Sequence, residues 1–444
     1  MKIDLEKLYL SLPYIFQLCF LNLQSLIISK RRYNSDFFSY LNYYLKSNPE
    51  IVNINDLKKF LIEAEKTPFW KKTFNKHNFN VKKFNDLKDL EKLPILNKKI
   101  VKENINDIIN LKYLNTSKNN HTSGTTGSGL IFPETREMEN RQWAIWWRYR
   151  INMGIKFDTW CGWFGGRSIL NINKKSAPYW INNYSMRMTM FSAHHLNSKT
   201  VKFYYNKICD KKLSWLHGYP SQITLLSNLI IENNLEINDS VKYITFGAEN
   251  LLESQRRIIK KVFKAEQYQH YGLSEGVSNI SLNTSNEFIP DQDFAYSEFI
   301  SKKQLSRNQY HIIGTNYYNY AFPLIRYDTG DILTTYDNKN FKIKSIDGRN
   351  EDYVTLKNGA KLGRLDHIFK DIINVEEAQI VQESLDEIIV NIVPHKKFNK
   401  IIDEKLIISE FQKRTGKYLS INIRYQKKIK RTKNGKLKFV ISKL

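Results

Sequence analysis

The chain has 444 residues, 41% hydrophobic and 13% aromatic, and its 69 basic residues against 44 acidic ones give a net charge of +25. That composition excludes a disordered polymer, and the length allows more than one packed domain. The basic excess is spread along the whole chain as lysines among asparagines, a general bias that points to anionic small molecules and to no nucleic-acid partner.

Cys19, Cys161 and Cys209 stand alone, without metal-ligand spacing, which excludes a disulfide framework and a zinc site and fits a reducing cytoplasm. From Tyr9 to Ile28 the chain is rich in Leu, Ile, Phe and Tyr, and Lys30-Arg31-Arg32 follows. A membrane span needs about 20 mostly apolar residues. Pro13, Gln17, Asn22, Gln24 and Ser25 break this run, so the expectation is amphipathic helices covering the main domain. The aromatic face and basic end also suit peripheral contact with a membrane surface.

From Phe37 to Leu111 apolar positions recur at helical spacing, punctuated by Thr67-Pro68-Phe69-Trp70 and Leu93-Pro94-Ile95-Leu96. A tract of Ser, Thr and Gly follows, His121-Thr122-Ser123-Gly124-Thr125-Thr126-Gly127-Ser128-Gly129. It lacks the Gly-Lys-Ser/Thr ending of the common P-loop. Its backbone N–H groups and hydroxyls nevertheless make a concavity suited to phosphate oxygens. Trp143, Trp146, Trp147 and Tyr149 then sit at helical spacing, which predicts a helix packing its indoles into the core.

Trp160 to Gly166 reads as a strand running into a turn, and His217-Gly218-Tyr219-Pro220-Ser221 as a turn opening a helix to about Ile231, with Ser221 as its cap. Val241 to Phe246 reads as an apolar strand ending at Gly247-Ala248-Glu249. Alternating short strands and helices predict an α/β fold with substantial parallel sheet. Tyr271-Gly272-Leu273-Ser274-Glu275 puts an aromatic ring, a glycine and a carboxylate within five residues. Phe322 to Asp331 reads as an apolar strand leading to an acidic Asp-Thr-Gly-Asp turn. Beyond Gly348-Arg349-Asn350-Glu351-Asp352 the chain becomes strand-rich and basic, ending in Lys430-Arg431-Thr432-Lys433-Asn434-Gly435-Lys436.

In this order the motifs resemble those of the adenylate-forming enzymes, the acyl-CoA synthetase-like superfamily. Within it they resemble the phenylacetate–CoA ligase family, in the branch associated with capsular and other surface polysaccharide synthesis. The resemblance implies a large N-terminal layered α/β domain, residues 1–347, with a largely helical lead-in over 1–115. A small mobile α+β C-terminal lid, residues 348–444, would carry the catalytic lysine.

It further implies a ligase that uses ATP to convert a carboxylic acid to an acyl-adenylate. The acyl group then passes to a thiol, by analogy CoA. Thr122, Ser123, Gly124, Thr125, Thr126 and Gly127 would hold phosphate, with Thr126 also catalytic. Gly247, Ala248, Glu249, Tyr271, Gly272 and Ser274 would line the nucleotide site. Glu275 would bind Mg²⁺, Asp331 the ribose hydroxyls, and Arg349 the nucleotide. Glu351 would be the hinge and Lys436 the catalytic lysine. His194 and His195, in Phe191-Ser192-Ala193-His194-His195-Leu196, fall where such enzymes place acyl-pocket residues.

Two departures stand out. Ser128-Gly129-Leu130 replaces the usual x-Pro-Lys after the phosphate loop, removing one positive contact to the leaving pyrophosphate, and Glu351 replaces the usual hinge Asp. Rival readings are acyl transfer to an amine or hydroxyl of a sugar without CoA, and a non-catalytic basic binding protein.

Overall fold

The computed structural model describes residues 5–121, 130–165, 168–171, 173–236, 239–247, 251, 253–301, 308–337, 341–346, 354–357, 361–362, 365–369, 372, 374–394, 398–415, 419–427, 429–430 and 439–444. The chain begins with helices α1 (Leu5–Ser11), α2 (Tyr14–Arg32), α3 (Ser35–Lys46), α4 (Ile54–Glu65), α5 (Pro68–Lys76), α6 (Lys98–Glu103) and α7 (Ile105–Ile108), with 3₁₀ turns among them. Their starts are written in the sequence. The side chains of Asn34, Asn53 and Thr67 accept from the backbone N–H three residues on, and Pro68 occupies the first turn of α5, where its missing N–H costs nothing.

A hairpin, β1 (Ser117–His121) with β2 (Ile131–Thr135), leads into α8 (Arg136–Asn152), which is capped by the Thr135 side chain accepting from Met138 N–H. Next come β3 (Cys161–Phe164), β4 (Trp180–Asn183), β5 (Met188–Phe191), α9 (Val201–Asp210), β6 (Trp215–Gly218), α10 (Pro220–Glu232), β7 (Tyr243–Phe246), α11 (Glu253–Phe263) and β8 (Glu266–Gly272). A run of mainly antiparallel strands follows: β9 (Asn279–Leu282), β10 (Phe288–Pro290), β11 (Ala295–Ile300), β12 (Gln309–Asn316), β13 (Tyr327–Thr335) and β14 (Ile343–Ile346).

These strands form one twelve-stranded sheet in the order β11-β12-β13-β14-β10-β9-β8-β7-β6-β3-β5-β4. The block β5-β3-β6-β7-β8 is parallel, as the strand–helix alternation predicts. One face of that block packs Phe164, Leu216, Ile244 and Phe246 against α9, α10 and α11. The other face meets α8, with Trp147, Cys161 and Trp215 in a core shared with the N-terminal helices.

The remaining elements are β15 (Val354–Thr355), β16 (Lys361–Leu362), β17 (Val375–Gln382), β18 (Glu387–Pro394), α12 (Lys400–Thr415), β19 (Ser420–Tyr425) and β20 (Val440–Ser442). They make a separate four-stranded sheet, β19-β18-β17-β20, with its own core of Ile380, Val390, Ile407 and Phe411. A large mixed α/β domain and a small α+β C-terminal domain are therefore both present, as expected.

Two local expectations change. Ser221 is not a cap, because Tyr219 holds the N-cap position and Pro220, with its φ already set for a helix, opens α10. The apolar run Phe322 to Ile325 is not a strand, and the strand begins only at Tyr327, so Asp328 to Asp331 lie within β13 rather than in a terminal turn. The apolar run is spent on packing instead. Ala321, Phe322, Leu324 and Ile325 are fully buried, and the lead-in helices brace their backbone: Trp70 Nε1 donates to Pro323 O (2.9 Å) and Asn110 N to Ala321 O (2.9 Å).

Candidate functional site

The candidate site builds up at the carboxyl ends of β7 and β8, where a parallel sheet exposes backbone to ligands. Beyond Gly272 the chain turns through Leu273 to Gly276, and three side chains fix the turn. Gln142 Nε2 donates to Leu273 O (2.7 Å), Asn120 Nδ2 to Ser274 O (3.4 Å), and Asn316 Nδ2 to Glu275 O (3.0 Å). Gly276 takes φ +61°, and a Cβ there would overlap the Met138 side chain, so both the backbone conformation and the space require glycine.

Asn120 belongs to β1, and His121 pairs with Ile131 across the hairpin. The two ends of the Ser/Thr/Gly loop are thereby anchored beside Ser274 and Glu275. The loop itself (residues 122–129), with Thr122, Ser123, Gly124, Thr125, Thr126 and Gly127, lies outside the described residues. So do Ala248, Glu249, Arg349, Glu351 and Lys436.

Tyr271, at the end of β8, donates its phenol to Asp331 Oδ2 at 2.8 Å, across sixty residues of sequence. Asp331 is 5% exposed, and its N–H is held by Thr329 Oγ1 (3.1 Å), whose own hydroxyl donates to Ile312 O (2.9 Å). The strand carrying Asp331 is anchored from outside the sheet. Leu96 N donates to Arg326 O (2.9 Å) and Asp328 N to Leu96 O (2.8 Å), while Arg326, at φ +53°, reaches Leu93 O (2.7 Å) and Glu298 (2.9 Å). The Leu93-Pro94-Ile95-Leu96 punctuation of the sequence thus becomes a brace for the acidic segment.

Glu275 is a carboxylate only 7% exposed, next to the loop anchor. No group of three or more His, Cys, Asp or Glu side chains placed to hold a metal ion occurs among the described residues. A single carboxylate is still an adequate protein donor for Mg²⁺, which keeps several waters and takes its other oxygens from a substrate's phosphates.

Beneath Gly247 and Gly272, on the α8 side of the sheet, lies a group of residues that sequence reading did not single out for function. A Cβ on Gly247 would stand 3.7 Å from His270 Cε1 and 3.8 Å from His217 Cε1. His217 Nδ1 is 2.9 Å from Thr245 Oγ1, which accepts from Trp215 Nε1 (2.8 Å). Trp146 lies 5.8 Å from the His270 ring, and its Nε1 donates to Asn279 Oδ1 (3.1 Å). Burial, assisted by the nearby Arg150 charge, pushes both His217 and His270 down to about 3, so both rings are neutral near pH 7.

Arg150 is itself 7% exposed and lies among indoles, 5.1 Å from Trp147, 5.3 Å from Trp215 and 6.0 Å from Trp143. It forms no ion pair with a carboxylate among the described residues, which is unusual for a buried guanidinium. The available signal was the strand period. His217 and Thr245 each lie two residues beyond an aromatic on the same strand face, but only pairing across the sheet brings them under Gly247.

His194 and His195 sit in a 3₁₀ turn after β5 and diverge. The His195 ring is 6% exposed, stacks on Tyr179 (5.2 Å) and bonds Ser192 Oγ through Nδ1 (2.7 Å). His194 Nε2 is 3.2 Å from Ser168 Oγ, which donates to Lys413 O (3.1 Å) in α12 of the C-terminal domain.

Residues 354–443 match the family described as the CapK C-terminal domain. The chain is 26% identical to Protein CapK of Staphylococcus aureus over 455 residues, covering 99% of this chain and all of that protein. Its fold is similar to 2-hydroxyisobutyryl-CoA ligase solved with 2-HIB-AMP and CoA in the thioesterification state, with a TM-score of 0.56, 17% identity and 88% of each chain covered. Against the same ligase in the postadenylation state with 2-HIB-AMP the TM-score is 0.52, again with 17% identity and 88% coverage of each chain. The chain therefore has the fold of the adenylate-forming CoA ligases, a large α/β domain followed by a separate small C-terminal domain.

Proposed function

We propose that this protein activates a carboxylic acid with ATP and passes the acyl group to a thiol, with CoA as the acceptor. The reading rests on one observation above the others, the contact of Tyr271 with Asp331. The residues assigned by resemblance to adenine and ribose are far apart in sequence yet share a hydrogen bond beside the anchor of the phosphate loop.

In this mechanism a carboxylate oxygen of the acid attacks the α-phosphorus, and the bond to the β-phosphate oxygen breaks, releasing pyrophosphate. Asp331 accepts from the ribose hydroxyls, Tyr271 lies against adenine, and Gly247, Ala248, Glu249, Gly272, Ser274 and Arg349 complete the nucleotide site. The loop from Thr122 to Gly127 and Lys436 meet the charge that gathers on phosphate oxygens. Glu275 would hold Mg²⁺, which would supply neutralisation of the triphosphate when bound. The thiol then adds to the acyl carbon and AMP leaves, with the lid of residues 348–444 turning about Glu351 between the two steps.

We place the acid beside His217, His270 and Trp146, with Arg150 nearby among its indoles. A neutral imidazole can hydrogen-bond a hydroxyl or carbonyl, and the unpaired guanidinium suits a further polar or anionic group on the acid. The 2-hydroxyisobutyryl group of the similarly folded ligase is a polar acyl group of this kind. His194 and His195 are left with supporting roles. We place the reaction in surface polysaccharide modification on the resemblance of the sequence motifs alone. Mass spectrometry of the products tests the scheme. Acyl-AMP without CoA and acyl-CoA with it are expected, and ATP cleavage that ignores added acid overturns it.

A further inference from the structure

Helix α2 turns much of its apolar surface outward. Its inward face carries Gln17 (2% exposed), Ser25 (7%) and Asn22 beside Leu18 and Leu21, which pack on Ile169, Leu170 and Ile181, whereas Ile15 (64%), Phe16 (58%), Phe20 (43%), Leu23 (64%), Leu26 (43%) and Ile27 (65%) point to solvent. A helix covering a soluble domain keeps its larger apolar stripe inward.

The polar side has an identifiable job. Strand β4 is the last strand of the twelve-stranded sheet, paired only with β5, and an open edge must be capped or covered. Tyr14 Oη donates to Trp180 O (3.0 Å), Asn22 Nδ2 to Asn182 O (2.9 Å), and Tyr184 N donates to Asn22 Oδ1 (2.8 Å). Asn183 Nδ2 adds a bond to Ser25 Oγ (2.7 Å). Asn22 and Ser25, which break the apolar run of the sequence, therefore seal the sheet edge, Gln17 ties α2 to α1 through Tyr9 O (3.1 Å) and Leu10 O (3.3 Å), and nothing among the described residues covers the apolar face turned outward.

The surroundings indicate what covers it. Helix α2 contains no Asp or Glu and ends in Lys30, Arg31 and Arg32, of which Arg31 pairs with Glu139 (3.1 Å) and Arg32 lies over Trp143 (3.7 Å), leaving Lys30 as the exposed cation. Along the same edge Lys174 Nζ lies 5.3 Å from the Tyr14 ring, Lys207 Nζ 5.3 Å from Trp180, and Lys211 Nζ 3.8 Å from Trp160, whose ring meets the 60% exposed Tyr184. Exposed aliphatics fringed by lysines and by Trp and Tyr rings are the composition of a helix lying in a lipid interface, and the chain's +25 charge complements anionic headgroups. No helix among the described residues is long and apolar enough to cross a membrane.

We infer that the outer face of α2 docks the protein, lying flat, on an anionic phospholipid surface. The test is sedimentation of the full-length chain with vesicles of phosphatidylcholine alone or mixed with phosphatidylglycerol. Binding to the mixed vesicles is expected, at least roughly tenfold weaker to the neutral ones and falling with added salt. The combined Phe16→Ser, Phe20→Ser and Leu23→Ser variant should lose roughly tenfold or more in affinity while its circular dichroism is unchanged. Ile27→Gln alone and the salt titration of the unaltered protein serve if the combined variant does not fold. Absence of binding to anionic vesicles, or unaltered binding by a folded variant, overturns the inference. So does a dimer that the variant dissociates without any vesicle binding, since the face would then be covered by a second copy.

Discussion

The Tyr271 phenol and the Asp331 carboxylate are joined by a 2.8 Å hydrogen bond, with Asp331 only 5% exposed. That bond orients the carboxylate proposed to meet the ribose. Tyr271→Phe keeps the ring but removes a bond to a charged group, worth about 1.5–3 kcal/mol. ATP affinity measured by calorimetry should fall about tenfold, and Asp331→Ala should weaken it further. Unchanged affinity in both variants would make the contact purely structural.

Lys436→Ala should remove adenylate formation while thioester formation from a supplied acyl-adenylate largely survives, because the lysine is assigned to the first step alone. The charge contact it loses is worth roughly 3–5 kcal/mol where water is excluded. Equal loss in both half-reactions would contradict the assignment.

In the proposed acid site, Arg150→Met should raise the apparent KM of the cognate acid and leave that of ATP nearly unchanged, as loss of uniform substrate binding does. His217 and His270, held down to about 3, add a pH signature. Their protonation is complete only far below the ordinary imidazole range, so both stay neutral from about pH 5 upward. The acid's KM should then show no inflection near pH 6.5 that His217→Asn or His270→Gln abolishes. Such an inflection would mean that the rings titrate in the working range.

Arg148 is 4% exposed and pairs with Asp291 (2.6 Å) and Asp293 (2.5 Å), which are equally buried. Asp291 Oδ2 also accepts from Ser281 Oγ (2.7 Å) and from Asn279, the residue that holds Trp146. Arg148→Met leaves two carboxylates without their cation and should cost about 3–5 kcal/mol of stability in denaturant titration. A change under about 1 kcal/mol would show that the network relaxes or takes up protons instead.

What the sequence disclosed was local chemistry in chain order. The turn at Ser274-Glu275 in the Tyr-Gly-x-x-Glu stretch carries its constraints in neighbouring residues, whereas the Asp-Thr-Gly-Asp stretch has turn composition and lies within β13. The parallel block was legible from strand–helix alternation, and the helical lead-in from its periodicity and from Thr67-Pro68.

Three features were not legible, each for a non-local reason. Arg150, His217 and His270 come from different elements and meet only across the sheet. The run Phe322 to Ile325 has strand composition, but its backbone is met by Trp70 Nε1 of the lead-in, at Pro323 O, and by single bonds from Phe322 to Asn319 and from Asn316 to Leu324. In α2, Asn22 and Ser25 read as interruptions of a hydrophobic stretch, when they are the face that the sheet edge requires.

The central claim is that ATP and a carboxylic acid react at this site, and isotopic exchange between pyrophosphate and ATP tests it most directly. Purified protein would be offered a panel of acids spanning simple, hydroxylated and dicarboxylic side chains, with Asp331→Ala as the matched control. The account predicts exchange that depends on at least one acid, favours those with an added polar group, and is lost in the control. Exchange indifferent to added acid, or none across the panel from a folded protein that binds ATP, would contradict it.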